Sequence, residues 1–399
     1  MTDCAKCGAC TAVCPVYRVT GREFLTARGK LHLLERLSTR DCSASYADIL
    51  SQCLLCGACE ASCPRGLDIT RQIAKARHDL PLLVGDHPFF ARLLKQALAT
   101  PALMTGLASL RTACERLLPP HSGLRTRLGL PPTPHLRPDA GTAPLPVQTP
   151  PQSAVAYFSG CFARYLEPEI SRATEKLLLR SGSTAPHQPT AQTCCGQAAY
   201  SSGDRAEAIR LAKRNITAFA DHAQPILTSC ASCYSHLASY PALLRDEPEW
   251  SERARAFADR LREFSSFFAD SASLAMQLAP PSEPPSQQSV FYHDPCHLRF
   301  GHRIVTPPRR LLASAGFHLH APLHGPQCCG MGGLFHLAHP ELADKIRTRL
   351  LDDLGSPLPD LVTTTCTGCL LHLRSGRYRQ GETPPVPHLA VLLAGQLKT

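Results

Sequence analysis

The sequence predicts a mixed α+β and α/β fold, in which a helical, metal-binding N-terminal domain precedes two copies of an α/β module. Three observations carry this reading. Eight cysteines fall in two tight runs ending at Cys14 and Cys63. Three cysteine-bearing blocks after residue 153 recur about 135 residues further on. Two proline-rich stretches separate the parts.

The chain has 399 residues, of which 44% are hydrophobic and 19% charged. That length allows two to three domains with a sizeable core, and that balance excludes wholesale disorder. No stretch approaches the run of about 20 apolar residues needed to cross a membrane. Met1-Thr2-Asp3-Cys4 lacks the charged-then-apolar pattern of a leader, so a cytoplasmic location is expected. In a reducing compartment the 20 cysteines are expected to be metal ligands, not a disulfide framework.

The N-terminal domain is expected over residues 1–80. Cys4-x2-Cys7-x2-Cys10-x3-Cys14-Pro15 recurs as Cys53-x2-Cys56-x2-Cys59-x3-Cys63-Pro64. This is two-cluster ferredoxin spacing, in which the fourth cysteine of each run serves the other cluster. Cys4, Cys7, Cys10 and Cys63 are therefore assigned to one [4Fe-4S] cubane, and Cys53, Cys56, Cys59 and Cys14 to a second. Zinc fits poorly, because it takes four ligands, usually as two separated pairs. Gly8 and Gly57 let the backbone pass close to sulfur. Tyr17–Leu37 reads as an inserted helix whose Arg18, Arg22, Arg28 and Lys30 face anionic clusters, a partner subunit or solvent.

Residues 81–118 read as a helical connector and 119–152, with ten prolines, as a linker. The first module is expected over 153–278 and the second over 289–399, with 279–288 as a second proline-rich linker. AVAYFSGC ending at Cys161 matches SVFYHDPC ending at Cys296; TCCGQAAYSSG matches QCCGMGGLFHL; LTSCASC ending at Cys233 matches TTTCTGC ending at Cys369. Each copy opens with an apolar β run (Val155–Phe158; Val290–Tyr292). A helix follows (Ile170–Leu179; Arg309–Ser314), closed by Gly182 or Gly316. After the Cys-Cys-Gly (CCG) loop comes a second helix (Asp204–Phe219; Pro340–Leu354). A short strand (Ile226–Leu227; Leu361–Val362) then delivers the CxxC pair. Alternating strand and helix places the cysteines at strand ends and loops, where sites on α/β folds sit.

Each module supplies five cysteines: Cys161, Cys194, Cys195, Cys230 and Cys233, then Cys296, Cys328, Cys329, Cys366 and Cys369. Adjacent cysteines converge poorly on one small ion but suit neighbouring irons of a larger cluster. The competing reading is a metal-free redox dithiol. No CxxC has histidine next to it, which excludes covalent c-type haem. Cys42 and Cys114 are left as ordinary thiols.

The chain resembles the family of glycolate oxidase iron–sulfur subunits and their relatives in lactate and anaerobic glycerol-3-phosphate oxidation. The ferredoxin runs with RVTGREFLTARGKLHLLERL, CCGQAAYSSG and the HDPCH…CCGMGG block carry that resemblance. Its CCG modules are also similar to those of the heterodisulfide reductase catalytic subunit, where they hold non-cubane [4Fe-4S] clusters. The resemblance implies two cubanes and as many as two further non-cubane clusters. It further implies an FAD-dependent 2-hydroxy-acid oxidase subunit as partner, a quinone-type acceptor and peripheral membrane association. Disulfide reduction at the CCG clusters, and service to glycerol-3-phosphate dehydrogenase, are the alternatives. Neither flavin nor NAD is expected on this chain: no strand-linked GxGxxG and no P-loop occurs, and Gly330–Gly333 follows a cysteine pair.

No catalytic residue is assigned. His293 and His297 flank Cys296, and His318, His320 and His324 precede the second CCG; these and Asp294 are read as structural or hydrogen-bonding groups before proton donors. The formal charge of +10 suggests an anionic partner. Aromatics make up only 6% of the chain and Arg299, Arg303, Arg309 and Arg310 lie in no docking motif, so nucleic acid is not expected. Two oxidised cubanes with eight thiolates carry about −4, which makes much of the basicity counter-charge for cofactors.

Overall fold

The computed structural model describes residues 4–36, 43–80, 100, 103–106, 109–110, 154–221, 223–278, 288–376 and 384–397. The connector and the two proline-rich linkers lie almost wholly outside these residues, as do Cys42 and Cys114.

Among the described residues the N-terminal domain has six short helices: α1 (Ala9–Val13), α2 (Pro15–Thr20), α3 (Ala27–Arg36), α4 (Ala44–Ser51), α5 (Ala58–Ala61) and α6 (Ile69–Asp79). The two cysteine runs are conformational copies. Lys6 and Gly8 adopt φ of 54° and 85°, and Leu55 and Gly57 adopt 51° and 78°. Left-handed backbone at a bulky residue is costly, yet both runs repeat it around their second cysteine. Each run then enters a helix capped by its glycine. The segment expected as one inserted helix is instead α2, a 3-10 turn at Glu23–Leu25 and α3. Gly21, left-handed with φ 66°, ends α2.

Both modules carry a parallel sheet. In the first, β1 (Ala156–Tyr157), β2 (Ile226–Thr228) and β3 (Leu261–Glu263) lie in the order β1-β2-β3; in the second, β4 (Ser289–Tyr292), β5 (His318–Leu319) and β6 (Leu361–Thr363) lie as β5-β4-β6. The difference is one of length more than of plan. A parallel bridge from Ala156 to His187 supplies the first sheet's missing edge, and one from Thr364 to His388 supplies the second's. With them both modules have four strand positions in the same order. The central strands are buried along almost their whole length, as in parallel sheets covered on both faces.

The expected helices appear as Pro168–Arg180, Arg205–Ala218, Thr306–Ser314 and Pro340–Asp352. Gly182 and Gly316, with φ of 87° and 82°, follow the first and third of them. Each first strand leads through its cysteine into a π-helical turn, Phe162–Leu166 or His297–His302. Each CxxC opens a helix, Ala231–Ala238 or Thr367–Arg374, with its first cysteine at the N-cap.

The modules meet through these CxxC segments. The Ala231 amide donates to the Thr365 carbonyl at 2.9 Å. An ion pair from Arg374 to the buried Glu167 at 2.9 Å and a 3.0 Å bond from Lys176 Nζ to the Ala394 carbonyl also cross the seam. The N-terminal domain packs on both. Val16, Leu54 and Cys56 share a hydrophobic cluster with Cys328, Phe335 and Ile346 of the second module, while α6 touches the first through Arg77 and His78.

Candidate metal centres

Cys4, Cys7, Cys10 and Cys63 line one small cavity together with Arg28, Arg65, Leu31 and Ile69. The cavity joins three cysteines of the first run to the last of the second. It lies at the surface, for Cys7 is exposed. Arg28 reaches over it, donating to the Lys6 carbonyl and pairing with Glu23 at 2.6 Å.

Cys14, Cys53, Cys56 and Cys59 form a second, inner set, in which Cys56 is buried and the other three half-buried. Their thiols lie within electrostatic reach of one another, and burial, with those neighbours, pushes Cys14 up to about 11. Two buried cations attend this set. Lys30 is 1% exposed; burial depresses its pKa, and the nearby Cys53, Cys14 and Cys59 thiols act the opposite way. Its Nζ donates to the Leu25 carbonyl. Arg77 is likewise depressed by burial and opposed by Cys53. Four crowded thiols beside buried cations fit a group that draws off thiol protons and leaves negative charge behind, as an iron–sulfur cluster does.

In the first module Cys161 and Cys194 sulfurs are 3.9 Å apart, and Cys195 bonds both Cys194 and Cys233. Their shared hydrogen bond holds Cys161 up and Cys194 down. A Cβ on Gly160 would stand 3.1 Å from the Cys233 sulfur, so glycine makes room for it. In the second module Cys296 bonds Cys328, and Cys329 and Cys369 sulfurs are 3.3 Å apart. Of the ten, all but Cys296 are buried. Each module thus gathers its five cysteines from two strand ends, one glycine turn and one helix N-terminus.

The sets also touch. The Cys56 thiol lies beside Cys328 of the second module: the two share one hydrophobic cluster and line one small cavity, and Cys328 helps to push the Cys56 thiol up. The Cys366 thiol stands close enough to Cys230 of the first module for Cys230 to raise its pKa. Thr367 Oγ1 and Ser232 Oγ cross that seam reciprocally, each 3.1 Å from the other module's cysteine. A cleft of about 640 Å3 opens where the three domains meet, with Cys56, Tyr200, His236 and His297 in its wall.

A model of the 4Fe-4S dicluster domain matches residues 1–67, and one of the cysteine-rich CCG domain matches 155–238 and 290–374. A probable glycolate oxidase iron–sulfur subunit of Bacillus subtilis is 32% identical, covering 98% of this chain and 93% of that protein. The chain belongs to the family of glycolate oxidase iron–sulfur subunits. The glycolate oxidase iron–sulfur subunit of Escherichia coli is 28% identical over 93% of this chain and 89% of its own length. Lactate utilization protein A of a Geobacillus species is 30% identical over 60% of this chain and 98% of itself. A Helicobacter pylori protein of known structure superposes with a TM-score of 0.53 at 11% identity, covering 93% of this chain and 67% of that one, which shows a shared fold. Among the described residues no helix is long and apolar enough to cross a membrane.

In this family member the remaining polar residues around the centres mostly satisfy one another. Asp294 accepts from Arg299 and Arg309 at 2.9 and 2.8 Å, and Arg310 pairs with Asp270 at 3.4 Å. His320 bonds the Leu354 carbonyl, His324 bonds Asp353, and His297 bonds Ser232. His293 and His236 differ, because the buried Nε2 of each has no hydrogen-bond partner. Two histidines escaped the sequence reading. His236 and His372 stand three residues past each CxxC, and their rings pack beneath Gly196 and Gly330 of the CCG turns. The signal was present: both copies read Cys-x2-Cys-x2-His, one repeat apart.

Proposed function

We propose that this chain relays electrons, one at a time, from a partner flavoprotein oxidising glycolate or D-lactate to a quinone-class acceptor. Oxidation of the 2-hydroxy acid to the 2-oxo acid releases two electrons and two protons; reduction of quinone to quinol consumes the same. A bound iron–sulfur cluster supplies one-electron chemistry at a potential set by its ligands, hydrogen bonds and burial. The surface set (Cys4, Cys7, Cys10, Cys63) and the buried set (Cys14, Cys53, Cys56, Cys59) would each hold a cubane, and the two CCG sets a further centre each. The exposed edge at Cys7 suits docking of the flavoprotein. The inner sets are buried among apolar side chains that exclude water, with Lys30 and Arg77 offsetting charge.

The observation that carries this reading is the Cys56–Cys328 contact. It joins the ferredoxin-type domain to a CCG module without intervening protein, as a relay needs and as a metal-free dithiol enzyme does not. Anaerobic pull-down of the tagged chain with mass spectrometry is the test. A co-purifying flavoprotein and roughly 16 irons per chain, at four per cluster, are expected. About 8 irons would remove the CCG centres, and turnover of a heterodisulfide by the isolated chain with reduced viologen would make the CCG half itself catalytic.

A further inference from the structure

The two modules are near-copies in backbone, yet among the positions near the cysteines where they differ, one exchanges an apolar ring for a metal-ligating one. Phe158 and His293 occupy the same place at the end of the first strand. The Phe158 amide donates to the Leu227 carbonyl and the His293 amide to the Thr363 carbonyl, both at 2.8 Å. Phe158 is fully buried and packs against Phe219 with ring centroids 6.0 Å apart. His293 is 1% exposed. A ring nitrogen of His293 and the sulfurs of Cys329 and Cys369 lie within 4.8 Å of one another. Its Nε2 is buried and lacks a hydrogen-bond partner. An orphaned polar atom in the interior is costly and calls for a cause. A metal in the cysteine set is a sufficient one, because neutral imidazole is a common ligand and iron–sulfur centres accept it beside thiolate.

We propose that His293 is a direct nitrogen donor to the metal centre of the second module, a donor that the first module, with Phe158, does not have. The inference rests on the reading that the CCG modules hold iron–sulfur centres, and deepens it. Where the neutral imidazole takes a position that a thiolate fills in the twin, the second centre carries less negative charge and takes an electron more readily. The centre so tuned is the one that Cys328 brings against Cys56. The asymmetry therefore falls at the entry to the CCG half, making the second module, not the first in chain order, the one that receives electrons from the N-terminal domain. No bond is made or broken; a single electron crosses, supplied by the partner's reduced flavin and removed by the quinone-class oxidant.

The test uses anaerobically purified full-length protein grown with 15N-histidine and with natural-abundance histidine. Pulsed EPR of the CCG centres is expected to show a nitrogen coupling of the strength of a direct bond that changes with the isotope. His293→Phe, which installs the first module's residue, should lose that coupling and shift the potential of one centre. His388→Asn, at a buried histidine elsewhere in the module, should keep both. Should His293→Phe fail to fold, His293→Asn and the labelled wild type carry the same decision. A coupling as weak as that of a merely hydrogen-bonded imidazole, or one that survives loss of His293, overturns the proposal while leaving the relay reading intact. If replacing Cys329 and Cys369 by serine removes no iron, the second module holds no such centre; the relay reading then fails, and this inference with it.

Discussion

Arg77 of α6 donates a 2.7 Å hydrogen bond to the Ser201 carbonyl, across the boundary between the N-terminal domain and the first CCG module. Its other donors reach the Leu50, Ser51 and Cys53 carbonyls. One buried guanidinium therefore pins the second cysteine run to its own domain and to a module more than a hundred residues away. Gly203 allows the approach, since a Cβ there would stand 2.9 Å from the Arg77 carbonyl.

Arg77→Met should be costly, because it strands several carbonyls in the interior. A single unsatisfied group costs about 1–3 kcal/mol, so a loss of about 3 kcal/mol or more is expected. Arg77→Lys should recover little, since an ammonium cannot reproduce the fork. Thermal melting of the anaerobic protein checks this; a melting point unchanged in Arg77→Met would refute the account.

Lys30 sits beside the buried cysteine set as a fixed positive charge. Lys30→Met removes it, so adding an electron to a centre held there becomes harder. At an effective dielectric of about 20 and several ångströms, the change is on the order of 50 to 100 mV downward. An EPR-monitored redox titration reads it, and an unchanged or raised potential in the variant would mean that Lys30 does not face the centre.

Gly196 and Gly330 turn their chains left-handed at φ of 99° and 94°, immediately after each cysteine pair. Alanine is strained at both, but the surroundings differ. At Gly330 the new methyl meets the Ala343 carbonyl oxygen at 2.7 Å; at Gly196 the nearest atom is a His236 ring nitrogen at 3.1 Å. A side chain yields more easily than backbone, so Gly330→Ala should cost more than Gly196→Ala, by about 1–2 kcal/mol on top of a backbone cost of similar size. Iron retention after mild heating ranks the two, and the reverse order would place the obstacle elsewhere.

Much of this organisation was legible because cysteine spacing is a geometric statement. Cys4, Cys7 and Cys10 come from one run, and their meeting with Cys63 follows the crossed pattern that two-cluster spacing carries. The module strands were legible as apolar runs stopping at Cys161 and Cys296. What escaped depends on contacts distant in sequence. The edge strands at Leu261 and His318 are two or three residues long, too short to show a period. The break at Gly21 was hidden by the helix formers that follow it over Ala27–Arg36. The Cys56–Cys328 contact joins residues in separate domains, which no local pattern encodes. Asp294 read as a hydrogen-bonding group, but that its partners are Arg299 and Arg309 only the fold shows.

His388 shows how the seam between modules responds to acid. Its Nδ1 accepts from the Ala390 amide and its Nε2 lies 3.1 Å from the Ser229 carbonyl. Both contacts together require the neutral ring with its proton on Nε2. Burial holds its pKa near 4, well below the ordinary 6.5. His236 is held at about 4, and His372 at about 3, also chiefly by burial. Between pH 6.5 and about 4 the unfolded chain therefore binds protons that the folded chain refuses. Stability is whole above that window and falls as pH drops through it, by about 1.4 kcal/mol per pH unit for each such histidine. His388→Asn keeps an acceptor for the Ala390 amide but cannot titrate. Its urea midpoint should fall less steeply than that of the wild type as pH is lowered from about 6.5 to about 5. Parallel slopes in the two proteins would mean that His388 is already charged in the folded state.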